Sequence, residues 1–150
     1  MTKLARKTGN QAALAMMYVG VGLTVIATLA PFIDGATTTV LADHIREGYP
    51  TYGTGEINTA VTAYTAILST VGVLGLLGWL GSVWAVRTGK GWARLLATGI
   101  FAIAACIAVA AATTRDTNGE VGLAPLLGLL QVLPCVPGLA AVALLWRRAG

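Results

Sequence analysis

The chain has 150 residues, 56% of them hydrophobic and 11% charged, with a mean hydropathy of +0.76, which excludes an ordinary water-soluble globular domain. Ten lysines and arginines against six acids give a net charge of +4; contacts with an anionic inner leaflet account for that excess, and nucleic acid is not an expected partner. Lipid admits only helices and closed barrels, and the apolar runs lack the alternation of barrel strands, so the expected fold class is all-α: an integral membrane four-helix bundle in which residues 1–150 form a single transmembrane domain.

The first apolar run, 12–33, follows Lys3, Arg6 and Lys7. Its "ATLA" resembles a small-residue cleavage site, but the run is longer than a signal-peptide core and Pro31 would follow the cut, so an uncleaved first span is expected. A long polar segment, 34–59, comes next, with "LADHIREGYPTYG" at its centre. Here Thr37, Thr38 or Thr39 is expected to cap a short surface helix. Its apolar Val40, Leu41 and Ile45 share one side, and Gly48 and Pro50 stop it. Thr54 or Gly55 starts the next helix, with Glu56 in the first turn, where a carboxylate favours the positive helix end. The second span, 60–86, and the third, 92–112, are joined by the tight "RTGKGWAR" turn, which makes them antiparallel neighbours. The fourth, 121–146, carries Gln131, Pro134 and Pro137 in "LLQVLPCVPG". Each proline lacks an N–H and disrupts the carbonyl four residues earlier, so a bend is expected, with the Leu130 and Leu133 carbonyls as free acceptors. Cys106 and Cys135 come out at similar depth and are read as two inert buried thiols.

Charge separates the two sides. Lys3, Arg6, Lys7, Arg87, Lys90, Arg94, Arg147 and Arg148, eight of the ten basic residues, fall at the termini and the turn between spans two and three. Every acid falls in or beside the other two connections. The positive-inside rule then puts both termini in the cytoplasm and the 34–59 loop outside, for a multi-pass protein of the plasma (inner) membrane of a bacterium. Trp84, Trp92 and Trp146 lie at the expected inner boundary, where an indole buries its ring and keeps its N–H wet.

Two groupings have chemical content. Asp43, His44 and Glu47 are helix-spaced and of types that ligate zinc. The pattern is not H-E-x-x-H, however, and it would need a further acid such as Asp116 or Glu120, so a solvated, ion-paired helix is the expected reading. The short "DTNGE" run reads as a polar turn rather than a calcium loop. Within the bilayer, Asn58, Thr62, Thr65, Ser69 and Gly72 repeat at spacings of four and three. Gly20, Thr24 and Thr28 share a face of the first span. The expectation is that Thr24, Thr28, Thr62, Thr65, Ser69 and Gln131 turn toward one another in the outer half and line a small-ligand site, against the plainer alternative of helix packing.

"ADHIREGYP", "WAVRTGKGWAR" and "TRDTNGEVGLAPLLGLLQVLPCVPG" resemble segments of small four-helix membrane proteins of high-GC Gram-positive bacteria. That resemblance implies a four-helix fold and supplies no activity and no site residues. No ionisable residue falls near the middle of a span, which argues against a proton-coupled transporter, and no C-x-x-C or hydrolase grouping is visible. The reading is therefore a non-catalytic membrane protein, without a cofactor, that acts as an accessory or interaction subunit or binds a small apolar ligand in its outer half. A small transporter or channel is the alternative, and a membrane enzyme using the outer acids and His44 comes third. The expected partners are the lipid bilayer and either another membrane protein or a second copy of the chain.

Overall fold

Four helices among the described residues are long and apolar enough to cross a membrane: Asn10–Ala36, Thr54–Arg87, Ala93–Thr113 and Pro125–Trp146. The computed structural model describes residues 2–115 and 124–147. In chain order the helices are α1 (Thr2–Ala36), α2 (Val40–Gly48), α3 (Thr54–Arg87), α4 (Ala93–Thr113), α5 (Pro125–Val132) and α6 (Cys135–Trp146). At about 1.5 Å per residue, α1 and α3 are each about 50 Å long, well beyond a hydrocarbon core of about 30 Å. The 21-residue α4 matches that core closely.

Each boundary has a local cause. At the end of α3 the Lys90 amide donates to the Ala85 carbonyl and the Gly89 amide to that of Val86, both at 3.1 Å. Gly89 has φ +68°, so this is a Schellman stop, which glycine makes without steric cost. At the start of α3 the Glu56 carboxylate accepts from the Gly53 amide at 2.8 Å. Pro125 begins α5 at a position where its missing N–H costs nothing. The fourth span is broken at Leu133 and Pro134 into α5 and α6, a direct result of the two prolines. The Leu133 carbonyl is not left free, which corrects the sequence expectation: the Val136 amide, three residues on, donates to it at 3.1 Å, replacing the N–H that Pro137 lacks.

The short α2 buries Leu41 and Ile45 and leaves Asp43, Arg46 and Glu47 exposed. Thr39 occupies its N-cap position, but with φ 53° and ψ 29° its side chain makes no cap hydrogen bond. Asp34, at the end of α1, supplies the cap. Its carboxylate accepts from the Val40 amide at 2.8 Å, the Leu41 amide at 2.9 Å and the Thr38 hydroxyl at 2.6 Å.

Apolar packing is concentrated at the two ends of the bundle. At the end carrying the termini, Met17, Val83, Val86, Ala93, Ala97 and Ala141 form one buried cluster. At the end carrying α2, Leu41, Ile45, Ile57, Leu68, Ala124 and Leu127 form another. The terminal end is also ringed by aromatic and basic groups. Arg94 lies 4.7 Å from the ring centre of Trp146, Lys90 lies 5.8 Å from that of Trp84, and the Trp146 indole donates to the Thr98 hydroxyl at 2.8 Å.

Candidate functional site

Between the two packed ends lies a cleft of about 570 Å³, lined by α1, α3, α4, α5 and α6. Small residues are frequent in its wall: Gly72, Gly75 and Gly78 on α3, Ala104 and Ala108 on α4, and Gly138 on α6 all belong to the lining. A cleft of this size lies within the range of small-molecule sites, about 300–1,000 Å³.

Its α1–α3 wall is an antiparallel ladder of close approaches. Thr28 abuts Gly72 so tightly that a Cβ on the glycine would overlap the hydroxyl, and the Thr24 methyl lies 3.4 Å from where a Cβ on Gly75 would stand. One turn further along, the indole of Trp79 fills the space a side chain at Gly20 would need. The Trp79 Nε1–H donates to the Thr24 hydroxyl at 2.9 Å, and that hydroxyl donates to the Gly20 carbonyl at 2.7 Å. Thr28 donates likewise to the Thr24 carbonyl at 2.6 Å. These polar groups are thereby satisfied among themselves. Trp79 lines the cleft together with Phe101, whose ring lies 2.9 Å from where a Cβ on Gly138 would stand.

The fourth wall is incomplete. α3 and α4 pack together at the terminal end through Val83, Val86, Ala93 and Ala97, and Ile100 reaches against Gly78. Further toward α2, Leu74 and Ile103 both line the cleft and yet are 60% and 64% exposed. The cleft is therefore open sideways between α3 and α4.

The six residues expected to converge divide into two groups. Thr24, Thr28 and Gln131 line the cleft, while Thr62, Thr65 and Ser69 do not. Thr62 is exposed and donates to the Asn58 carbonyl at 2.8 Å, in a shallow depression with Thr59, Ala63 and Ala66. Thr65 and Ser69 are half-buried, and the Ser69 hydroxyl donates to the Thr65 carbonyl at 2.7 Å. Thr65 lies beyond Ile67, where the lining on α3 ends, and for the other two the cause is helical phase. With about 100° per residue, Ser69 and Thr62 stand roughly 60° and 80° round from Gly72 on the side away from Gly75 and Gly78.

Asp43, His44 and Glu47 share α2, and the Asp43 carboxylate accepts from Arg46 at 2.7 Å in an exposed ion pair. Among the described residues, no three His, Cys, Asp or Glu side chains are grouped so as to hold a metal ion. Asp116 and Glu120 lie outside the described residues. Cys106 is exposed and Cys135 half-buried, and both are free thiols; Cys135 alone of the two lines the cleft. Sequence reasoning missed Trp79 and Phe101. Their signal was present: Trp79 is a tryptophan well inside a span rather than at its boundary, and such a residue requires a partner for its N–H and a small residue opposite its ring.

No family model, curated protein or solved structure matches the chain. The cleft itself, apolar and laterally open, is the feature from which function has to be argued.

Proposed function

We propose that this is a non-catalytic integral membrane protein of the bacterial plasma membrane that binds a small apolar ligand between its helices, with both termini in the cytoplasm. The observation that carries the reading is the cleft of about 570 Å³. The Thr24 and Thr28 hydroxyls donate to carbonyls of their own helix and the Trp79 N–H to the Thr24 hydroxyl, so apart from the Gln131 amide little in it would hold water. An apolar cavity of this kind is filled from an apolar phase. The ligand space extends further than the outer half, reaching Trp79 and Ser82 of α3. The orientation rests on the basic and aromatic ring at the terminal end, where Arg94 and Lys90 stand over Trp146 and Trp84, an arrangement suited to an anionic cytoplasmic leaflet.

The test is extraction. Protein purified in lipid nanodiscs is stripped with organic solvent, and the extract is compared by mass spectrometry with that of Ala104→Phe, which places a ring in the cleft. A species enriched with the unaltered protein and depleted with Ala104→Phe is expected. Equal lipid profiles from both, with Ala104→Phe still folded, would return the protein to the accessory-subunit reading.

A further inference from the structure

The shape of the cleft and the chemistry of Gln131 together define what kind of molecule fits. On α3 the lining runs from Ile67 to Ser82 and on α4 from Ala97 to Thr114, distances of about 22 and 25 Å along the two helices at about 1.5 Å per residue. A space of about 570 Å³ stretched over that length is slender. It accommodates an extended chain better than a compact ring system, and its lateral opening between Leu74 and Ile103 admits a chain without that chain leaving the bilayer.

Polarity then fixes the rest of the ligand. Among the described residues, no lining side chain is charged, so a charged group in the cleft would remain uncompensated in a low-dielectric medium. The hydroxyls of Thr24, Thr28, Ser82 and Thr114 each donate to the carbonyl one turn back, and the Trp79 N–H donates to the Thr24 hydroxyl. Gln131 differs: it lies in the lining, half-buried, and its amide has no hydrogen-bond partner among the described residues. An amide offers both donors and an acceptor, and leaving them unmatched in an apolar surrounding is costly. Gln131 stands near the end of the eight-residue α5, about 10 Å below the start of that helix, with Cys135 and Gly138 continuing the lining toward Trp79.

We infer that the cleft binds a neutral, single-chain amphiphile that enters sideways between α3 and α4, places one uncharged hydrogen-bonding group against the Gln131 amide, and runs its chain past Trp79 toward Ser82 and Val142. The inference rests on the apolar-ligand reading and adds to it the ligand's shape, charge and point of polar recognition. A free fatty alcohol and the hydroxyl-bearing chain of a larger neutral lipid share this chemistry.

Photoactivatable probes in phosphatidylcholine vesicles containing the full chain distinguish the possibilities. Three diazirine probes are compared: a 16-carbon alcohol, the matching alkane without hydroxyl, and a compact cage-shaped alcohol. A fourth, a monoacylglycerol with the same tail, separates a free alcohol from a larger headgroup. The expected result is saturable labelling of the cleft residues by the linear alcohol or the monoacylglycerol, a reduction of about 3- to 10-fold in Gln131→Leu, the size of one hydrogen bond, and little change for the alkane. Ala104→Phe should abolish the labelling while circular dichroism shows helix content unchanged. If the linear alcohol and the alkane label equally and Gln131→Leu alters neither, or if the compact alcohol labels best, the inference fails while apolar binding stands. If no probe labels the cleft saturably, the apolar-ligand reading fails with it.

Discussion

Gly20 and Trp79 occupy a single shared volume: the indole ring lies where any side chain on Gly20 would have to go. The contact is anchored by the hydrogen bond from Trp79 to Thr24, 2.9 Å long across 55 positions of the chain. Gly20→Ala should therefore destabilise the protein in detergent by about 1–2 kcal/mol through overpacking, despite the better helix propensity of alanine. In a Trp79→Phe background the smaller ring leaves room, and the same substitution should cost nothing or stabilise. A double-mutant cycle on unfolding midpoints measures the difference; additive effects would mean that the two residues do not meet.

Asp34 joins the end of α1 to the start of α2. Replacing it with alanine removes acceptors from the Val40 and Leu41 amides and the Thr38 hydroxyl, at an expected cost of about 1–3 kcal/mol. The loss should be local first. Hydrogen exchange at Val40 and Leu41 is predicted to accelerate while that of α3 and α4 stays slow; unchanged protection at both amides would contradict the cap.

Thr39 carries a β-branched side chain in the left-handed region, a conformation that costs about 1–2 kcal/mol outside glycine. Its hydroxyl recovers little, donating to Asp43 at 3.4 Å. Thr39→Gly is expected to raise stability by about 0.5–1 kcal/mol after the entropy of glycine is counted. Thr39→Val, which retains the branch, should give no gain. A rise for valine equal to that for glycine would place the effect elsewhere.

The proposed orientation has a direct measurement in intact cells. With Cys106 and Cys135 replaced by serine, a cysteine introduced as Glu47→Cys should react with an impermeant maleimide, and one introduced as Lys90→Cys should react only after permeabilisation. The reverse pattern would invert the topology.

Much of this architecture was legible in the chain. Four apolar runs marked the spans, the prolines marked the break between α5 and α6, and the spacing of Leu41 and Ile45 marked the buried side of α2. Tertiary position was harder to read. The spacing of Thr62, Thr65, Ser69 and Gly72 identifies residues on one side of α3, but it does not say which neighbour that side meets, and Gly72 alone of the four reaches the cleft lining. The cap from Asp34 was hidden because three threonines stand nearer to α2, and the left-handed turn at Thr39 is what brings an acid six positions back within reach of Val40. The slot for Trp79 needs residues from α1 and α6 at once, so no window of sequence contains it.

The Schellman stop at Gly89 has a mechanical consequence. α3 and α4 leave a single tight turn, locked by two backbone hydrogen bonds, and pack together at the terminal end through Val83, Val86, Ala93 and Ala97. The 21 residues of α4 then act as a lever arm about 31 Å long. Tilting that arm by about 10° at its base displaces the far tip by about 5 Å, roughly the breadth of one hydrocarbon chain, given the 1.5 Å rise per residue. Aperture at the distant rim is thus set by leverage from a fulcrum at Thr88–Lys90, and the packing of Ala108 and Ala111 at the far end of α4 is what any such tilt has to work against.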